Sequence, residues 1–233
     1  MAEYEVTLFV DASNDGSGAK LPKLYGFKAA GDNHPQSKPL VWFHAEYVTR
    51  TSIKWDTRSW VYVAKARQGK EPLTSYSPRE LQCGEQFVVD SVKGSGQELA
   101  YDDPTHIAVV NKAGKGLRAG MAGEVSVAGT PMETIPYCEN PLANEAMTTF
   151  KPVEKVILFI AQSSAEESEI KKGVVVENAL SPGVVIDAAI ADWEGEEMKV
   201  RFNEKEGTWS WPEGAAWARS IEKGDDLTNF VHF

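Results

Sequence analysis

The chain has 233 residues, of which 42% are hydrophobic, 10% aromatic and 25% charged, and its formal net charge is -10. This composition supports a buried core and excludes a chain that is disordered throughout. The negative charge excludes nucleic acid as the main partner, because phosphate binding needs clustered positive charge; from Lys151 onward, 16 Asp and Glu oppose 9 Lys and Arg.

Short apolar or alternating segments predict strands along most of the chain. The clearest alternation lies over 40–48, where Val41 and Phe43 fall on one face and Trp42 and His44 on the other, as successive side chains do in a half-buried strand. The predicted strands, in chain order, cover 5–10, 40–48, 52–55, 59–63, 86–92, 106–110, 124–127, 155–160, 174–177, 184–189, 198–202 and 208–211. Only 145–150 and 214–221 favour a turn or two of helix.

Segments rich in Gly, Pro, Asn and Asp separate these strands, and they suit the positive or fixed φ angles of turns. They cover 14–18, 93–96, 102–104, 113–116 and 181–183. Many short strands divided in this way predict an all-β fold, which we expect to be an antiparallel β-sandwich or barrel, either as one domain or as two related β modules packed together.

A faint internal repeat suggests the two modules. The sequence at 6–13 resembles that at 156–163, and each copy is followed by a basic-aromatic strand and then by a Trp-bearing strand, at 53–55 and 60–62 in the first copy and at 200–202 and 209–211 in the second. A duplicated unit would fix how the chain divides. The alternative is that two buried strands use the same apolar residues.

The best boundary is a proline-rich stretch just before the second copy. It contains Pro131, Pro136, Pro141 and Pro152, and prolines are disfavoured in helix interiors and central strands. We therefore predict a β module at 1–135, a connector at 136–152 and a second β module at 153–233, with a single large β domain as the alternative.

The aromatic residues are the strongest functional signal. The chain has seven tryptophans, and several stand beside charged residues, a combination that suits stacking on a sugar or a place at a lipid interface. The alternative for any one of them is core packing. The predicted ligand-binding residues are Trp55, Arg58, Trp60, Trp209, Trp211 and Trp217.

The C-terminal aromatic cluster allows a more specific prediction. In a regular strand over 208–211, Trp209 and Trp211 project from the same face, and the proline after Trp211 ends the strand. We expect Trp209 to be mostly buried, and Trp211 or Trp217 to be partly exposed beside Arg201 or Glu213.

Catalytic and metal-binding motifs are absent from the sequence. His44 and Glu46 leave the same face of one predicted strand, and His34, His106 or His232 would have to complete a metal site. No metal-binding, nucleophile-elbow or phosphate-loop motif accompanies them, and no cofactor is predicted. The metal candidates are therefore His44, Glu46 and His106, with no metal as the main expectation.

These observations favour a non-enzymatic recognition protein that binds a glycan or a lipid headgroup through Trp-rich loops. In composition and strand style, the chain resembles the soluble lectins and the aegerolysins, and it shares no diagnostic motif with either. The alternatives are a small β-barrel enzyme, metal-assisted through His44 and Glu46, and a self-associating structural protein. With no visible signal peptide or membrane span, we expect a cytoplasmic protein with reduced Cys83 and Cys138; the sequence does not predict the oligomeric state.

Overall fold

The computed structural model describes residues 2–11, 23–32, 37–46, 48–66, 73, 77–161 and 170–231, without the side chains of residues 32 and 231. The described residues form 18 strands and two short helices, α1 (Ala188–Glu194) and α2 (Thr228–Val231). None of the helices in this part of the chain has the length and apolarity needed to span a bilayer. The turn predicted at 14–18, His34 and His232 lie outside the described residues.

The first sheet contains ten strands. Its main path runs β17 (Thr208–Ser210), β16 (Met198–Asn203), β1 (Glu3–Asp11), β5 (Arg50–Asp56), β11 (Leu117–Val127), β13 (Cys138–Leu142) and β3 (Lys38–Pro39). Off this path, β6 (Trp60–Lys65) and β12 (Glu133–Pro136) pair with β11, and β7 (Ser77–Glu80) pairs with β6.

The second sheet contains eight strands. Its main path runs β18 (Ala218–Ile221), β15 (Gly183–Asp187), β14 (Met147–Ala161), β10 (Ile107–Asn111), β8 (Glu85–Val89) and β9 (Gly96–Ala100). Off this path, β2 (Lys23–Asp32) pairs with β14, and β4 (Phe43–Glu46) pairs with β2. The pairing is antiparallel except for β1 with β16 and β8 with β10.

The two sheets pack on one another, which confirms the predicted all-β fold. Val6, Leu8 and Val10 of β1 and Val156 and Leu158 of β14 belong to the same buried cluster, since alternate residues of each strand point inward. A second buried cluster covers the other face of β14. This strand is therefore buried on both faces, which explains its continuous apolar run.

The strand pairing gives no support to the internal repeat. β1 pairs with β5, which carries the first basic-aromatic segment. β14 pairs with β2, β10 and β15, and the second basic-aromatic segment, in β16, pairs with β1 instead. The two copies share apolar residues because both strands face the same core, and they differ in every strand that flanks them.

The proline-rich stretch differs from the predicted connector because much of it is strand. It contains β12, β13 and the start of β14, and each sheet includes strands from both sides of it. The prolines fit because Pro136 ends β12 and Pro152 lies at the irregularity of β14, where the register with β2 shifts; proline is tolerated at strand ends and bulges. The boundaries of the two predicted modules stay a prediction.

Local predictions were wrong at several elements. Among the described residues of the strand predicted over 40–48, Phe43–Glu46 forms a strand, and 145–150 and 214–221 contain strand rather than helix. The helix α1 replaces the end of the strand predicted over 184–189. It begins there because the Asp187 side chain accepts a hydrogen bond from the Ile190 N–H, and it ends at Gly195, which adopts the left-handed conformation with φ of 69°.

One buried ion pair lies between the sheets. Lys28 of β2 is 3% exposed, and its Nζ atom lies 3.1 Å from Oε2 of Glu154, whose side chain is 14% exposed. Glu154 lies within the irregular part of β14 between Pro152 and Val156. Trp55 of the first sheet donates a hydrogen bond from Nε1 to the same Glu154 oxygen at 2.9 Å, so one carboxylate links both sheets.

Aromatic rings enclose the lysine of this pair. The Lys28 ammonium lies 5.7 Å from the ring centre of Trp42 and 5.8 Å from that of Tyr137, distances at which a ring face attracts a cation. Trp42 also contacts Trp55 edge to face, with 6.4 Å between ring centres. The Lys28 ammonium thus has Glu154 on one side and ring faces on other sides, and these contacts offset part of the free-energy cost of its desolvation.

Removing one partner of this buried ion pair should lower the free energy of unfolding much more than removing one partner of an exposed ion pair. We expect Glu154→Gln to lower the free energy of unfolding by about 3–5 kcal/mol, because it leaves a buried charge uncompensated. The double variant Lys28→Met/Glu154→Gln should recover most of that loss. The control is Glu177→Gln, whose exposed partner is Lys38, with an expected cost below about 1 kcal/mol. Urea unfolding measures all three, and a double variant no more stable than Glu154→Gln would contradict the account.

Candidate functional site

The seven tryptophans differ widely in exposure. Three are buried, three are half-buried and one is 91% exposed: these are Trp42, Trp55 and Trp217, then Trp60, Trp209 and Trp211, and finally Trp193. Two predicted ligand-binding residues, Trp55 and Trp217, therefore do not offer a ring face to solvent. Trp193, the most exposed tryptophan, was not among the predicted residues.

The predicted residues of the N-terminal cluster do not share one surface. Trp55 packs in the core between the sheets, whereas Trp60 packs with Tyr62 in a separate cluster on the outer side of the first sheet. The Trp60 indole N–H is buried and has no hydrogen-bond partner among the described residues. Arg58 is held by Asp56, 2.7 Å from its Nε atom, and by Glu124, so that its charge is already paired.

The C-terminal aromatic cluster is more deeply buried than predicted at Trp217. Trp217 is buried, and its indole N–H donates to Glu196. Trp209 lies against Phe202, with 5.1 Å between ring centres, and both Trp209 and Trp211 pack on the edge of the core. Trp209 and Trp211 each remain half-buried, so that Trp211 fits the expected partial exposure and Trp217 does not.

The metal candidates do not converge. His44 is half-buried on β4, and burial, followed by the charges of Lys23 and Lys172, lowers its pKa from the usual 6.5. Glu46, on the same strand, faces Lys23 across the ladder. Nearby lysines disfavour a bound cation, and the described residues contain no group of three or more His, Cys, Asp or Glu that could hold a metal ion.

Cys83 lies just before β8 and His106 just before β10, and a backbone hydrogen bond joins the two segments. The His106 ring is oriented by Asp103, with 2.7 Å between Nδ1 and Oδ2, and the backbone of Gly84 bonds that of His106. The Cys83 thiol has a raised pKa, first because of burial and then because of Asp103. A thiol in this state is protonated at neutral pH, which is the opposite of what nucleophilic catalysis requires.

A polar concavity lies on the outer face of the first sheet. It is a cleft of about 340 Å³ formed by β1, β5, β16 and the end of α1. Val6, Leu8 and Val10 point into the core, so the alternate residues Glu3, Glu5 and Thr7 point outward. We call this concavity the acidic cleft and define it by Glu3, Tyr4, Thr7, Arg50, Asp192 and Glu196.

Tyr4 connects the acidic cleft to the buried ion pair. Its ring lies 5.6 Å from that of Trp55, the tryptophan that donates to Glu154. Burial, and after it the charges of Glu154, Asp192 and Asp187, raises the pKa of Tyr4 above the usual 10. The phenol therefore stays protonated at neutral pH and can donate a hydrogen bond.

Several charges around the cleft are already paired. Glu5 accepts a hydrogen bond from the Ser52 hydroxyl at 2.6 Å and pairs with Lys54 at 3.3 Å, and these contacts lower its pKa, the Ser52 bond most. Glu197 pairs with Lys199.

Three charged side chains remain available to a ligand. Glu3, Arg50 and Asp192 line the cleft and have no ion pair within 4.0 Å among the residues that the structure describes. The cleft thus offers carboxylate acceptors, a guanidinium donor and a phenol on a rigid sheet.

No protein-family profile, curated protein or solved structure matches the chain. No sequence motif marks the acidic cleft, because its residues come from 3–7, 50 and 192–199.

The lowered pKa of His44 predicts a stability change with pH. Below about pH 6.5, the unfolded chain binds a proton at this position more readily than the folded protein does. Stability should therefore fall as the pH is lowered from about 7 to about 5, and His44→Gln should remove part of that slope. Urea unfolding at several pH values measures the slope, and an NMR titration measures the pKa directly. An unchanged slope in the variant would contradict the assignment.

Proposed function

We propose that this protein is a non-enzymatic recognition protein that binds a glycan in the acidic cleft. The observation that carries the proposal is one concavity of about 340 Å³ that combines a phenol with carboxylates and a guanidinium that have no ion pair among the described residues. Carboxylates accept hydrogen bonds from sugar hydroxyls, and Arg and the Tyr4 phenol can donate hydrogen bonds to them.

The charge of the cleft favours a glycan over a phospholipid headgroup. Five carboxylates line it, against Arg50 and Lys199 as the only basic side chains in its described lining, and a phosphate would be repelled by that excess. A hydroxyl-rich ligand without net charge can form hydrogen bonds with both the carboxylates and the basic side chains of the cleft. The lipid headgroup is therefore the second candidate and becomes one arm of the test.

The site proposed here differs from the Trp-rich loops that the sequence suggested. Trp60, Trp209 and Trp211 stay candidates for additional contacts because each is half-buried. The proposal does not depend on them. No observation favours the metal-assisted enzyme over this function, since lysines surround His44.

Binding to a glycan array, followed by calorimetric titration with the best ligand, tests the proposal. We expect Asp192→Asn and Arg50→Gln each to weaken binding by about tenfold or more, because a hydrogen bond to a charged group contributes about 1.5–3 kcal/mol. The matched control is Glu98→Gln on the exposed strand β9, which should bind as the wild type does.

Sedimentation with phosphatidylcholine and phosphatidylserine vesicles is run in parallel. Vesicle binding without glycan binding would mean that the ligand is a lipid headgroup and not a glycan. Absence of both, or glycan binding that is unaffected by the two cleft substitutions, would overturn the proposed site.

A further inference from the structure

The helix α1 presents an apolar face to solvent. Trp193 is 91% exposed and Ile190 is 37% exposed. Residues three apart lie on the same side of a helix, so these two side chains form one patch. Single exposed apolar residues are common, but a tryptophan with almost its whole surface in water is a large apolar group left unpacked.

A cavity of about 210 Å³ lies beside the same helix. Val185, Ile190, Ala216 and Trp217 contribute to its lining, and they give it an apolar side. An apolar cavity of about 150 Å³ is large enough to take up benzene. The cavity here is therefore of a size to receive an indole ring, and the exposure of Trp193 shows that the ring of the same chain does not fill it.

The charges around the ring and around the cavity are opposite in sign. Trp193 is flanked in sequence by Asp192 and Glu194, both exposed. The charged side chains that line the cavity are Lys155, Asp187 and Arg219, which leave it with one net positive charge. Lys155 pairs with Asp187 at 3.3 Å, whereas the Arg219 guanidinium lies over the Phe230 ring at 5.1 Å and has no ion pair among the described residues.

We propose that α1 is a self-association surface, on which Trp193 of each copy enters the cavity beside Ile190 of the other. The ring and the cavity lie on one patch of one chain, so a twofold axis lets both contacts form at once, as in an isologous dimer. Arg219 of each copy then meets the carboxylate of Glu194 of the other. Charge complementarity selects a second copy over a basic peptide, because the cavity lining supplies the cations that the acid-flanked ring requires.

The proposed dimer contact buries a small area, so the dimer should be weak. One tryptophan buries about 150–250 Å², whereas a standard stable interface buries about 800 Å² on each partner. We therefore expect a reversible monomer–dimer equilibrium that appears only at micromolar or higher concentrations.

Sedimentation velocity of the full chain, from low micromolar to near-millimolar concentration, tests this proposal without any ligand. The wild type should form dimers as its concentration rises, and Trp193→Ala should stay monomeric. Because the ring is exposed, Trp193→Ala should unfold at the wild-type temperature. The matched control is Leu99→Ala, which removes an exposed side chain (47%) on β9 and should dimerise as the wild type does.

Charge reversal tests the pairing itself. Arg219→Glu and Glu194→Lys should each weaken the dimer about tenfold, and the double variant should restore it because the opposite charges meet again. Four results would overturn the proposal: a monomer at every concentration, a Trp193→Ala variant that still dimerises, growth beyond the dimer, or no restoration in the double variant.

Discussion

One buried contact, the ion pair between Lys28 and Glu154, constrains how β2, β14 and β5 pack on one another. Burying two charges is costly unless their geometry is good and their remaining hydrogen-bonding capacity is satisfied. The structure meets this requirement by turning Glu154 inward at an irregularity of β14 and by supplying a Trp55 N–H to the same oxygen. The strands β2, β5 and β14 are thereby fixed in one relative position, which apolar packing alone would specify less sharply.

The same contact positions the proposed site. Trp55 is held by Glu154, and its ring supports that of Tyr4 at the base of the acidic cleft. The buried ion pair is thus linked to Tyr4 through Trp55. A cleft built on paired strands keeps its polar groups in fixed positions, which lowers the entropy that a ligand must overcome on binding.

The sequence predicted the fold class because the period-two pattern of strands such as β1 reflects which face is buried. It missed β2, whose run is interrupted by Gly26 and Lys28. Both residues are explained by the core: the Phe43 ring lies where a side chain on Gly26 would begin, 2.1 Å from a Cβ atom placed there, and Lys28 meets Glu154. The charged residues beside Trp55 in the sequence suggested an exposed ring. In the strand, these neighbours point to the opposite face, and Trp55 itself points into the core. The cleft could not be predicted, since its residues meet only through the pairing of β1 with β5 and β16.

The central claim is that a ligand binds on the outer face of the first sheet, at the acidic cleft. Amide chemical-shift mapping with a bound glycan tests it most directly, because it reports the contact surface without any substitution. The account predicts that the largest shifts fall on residues 3–7, Arg50 and 192–199. Shifts centred on Trp60 or Trp211, with those cleft residues unchanged, would contradict it.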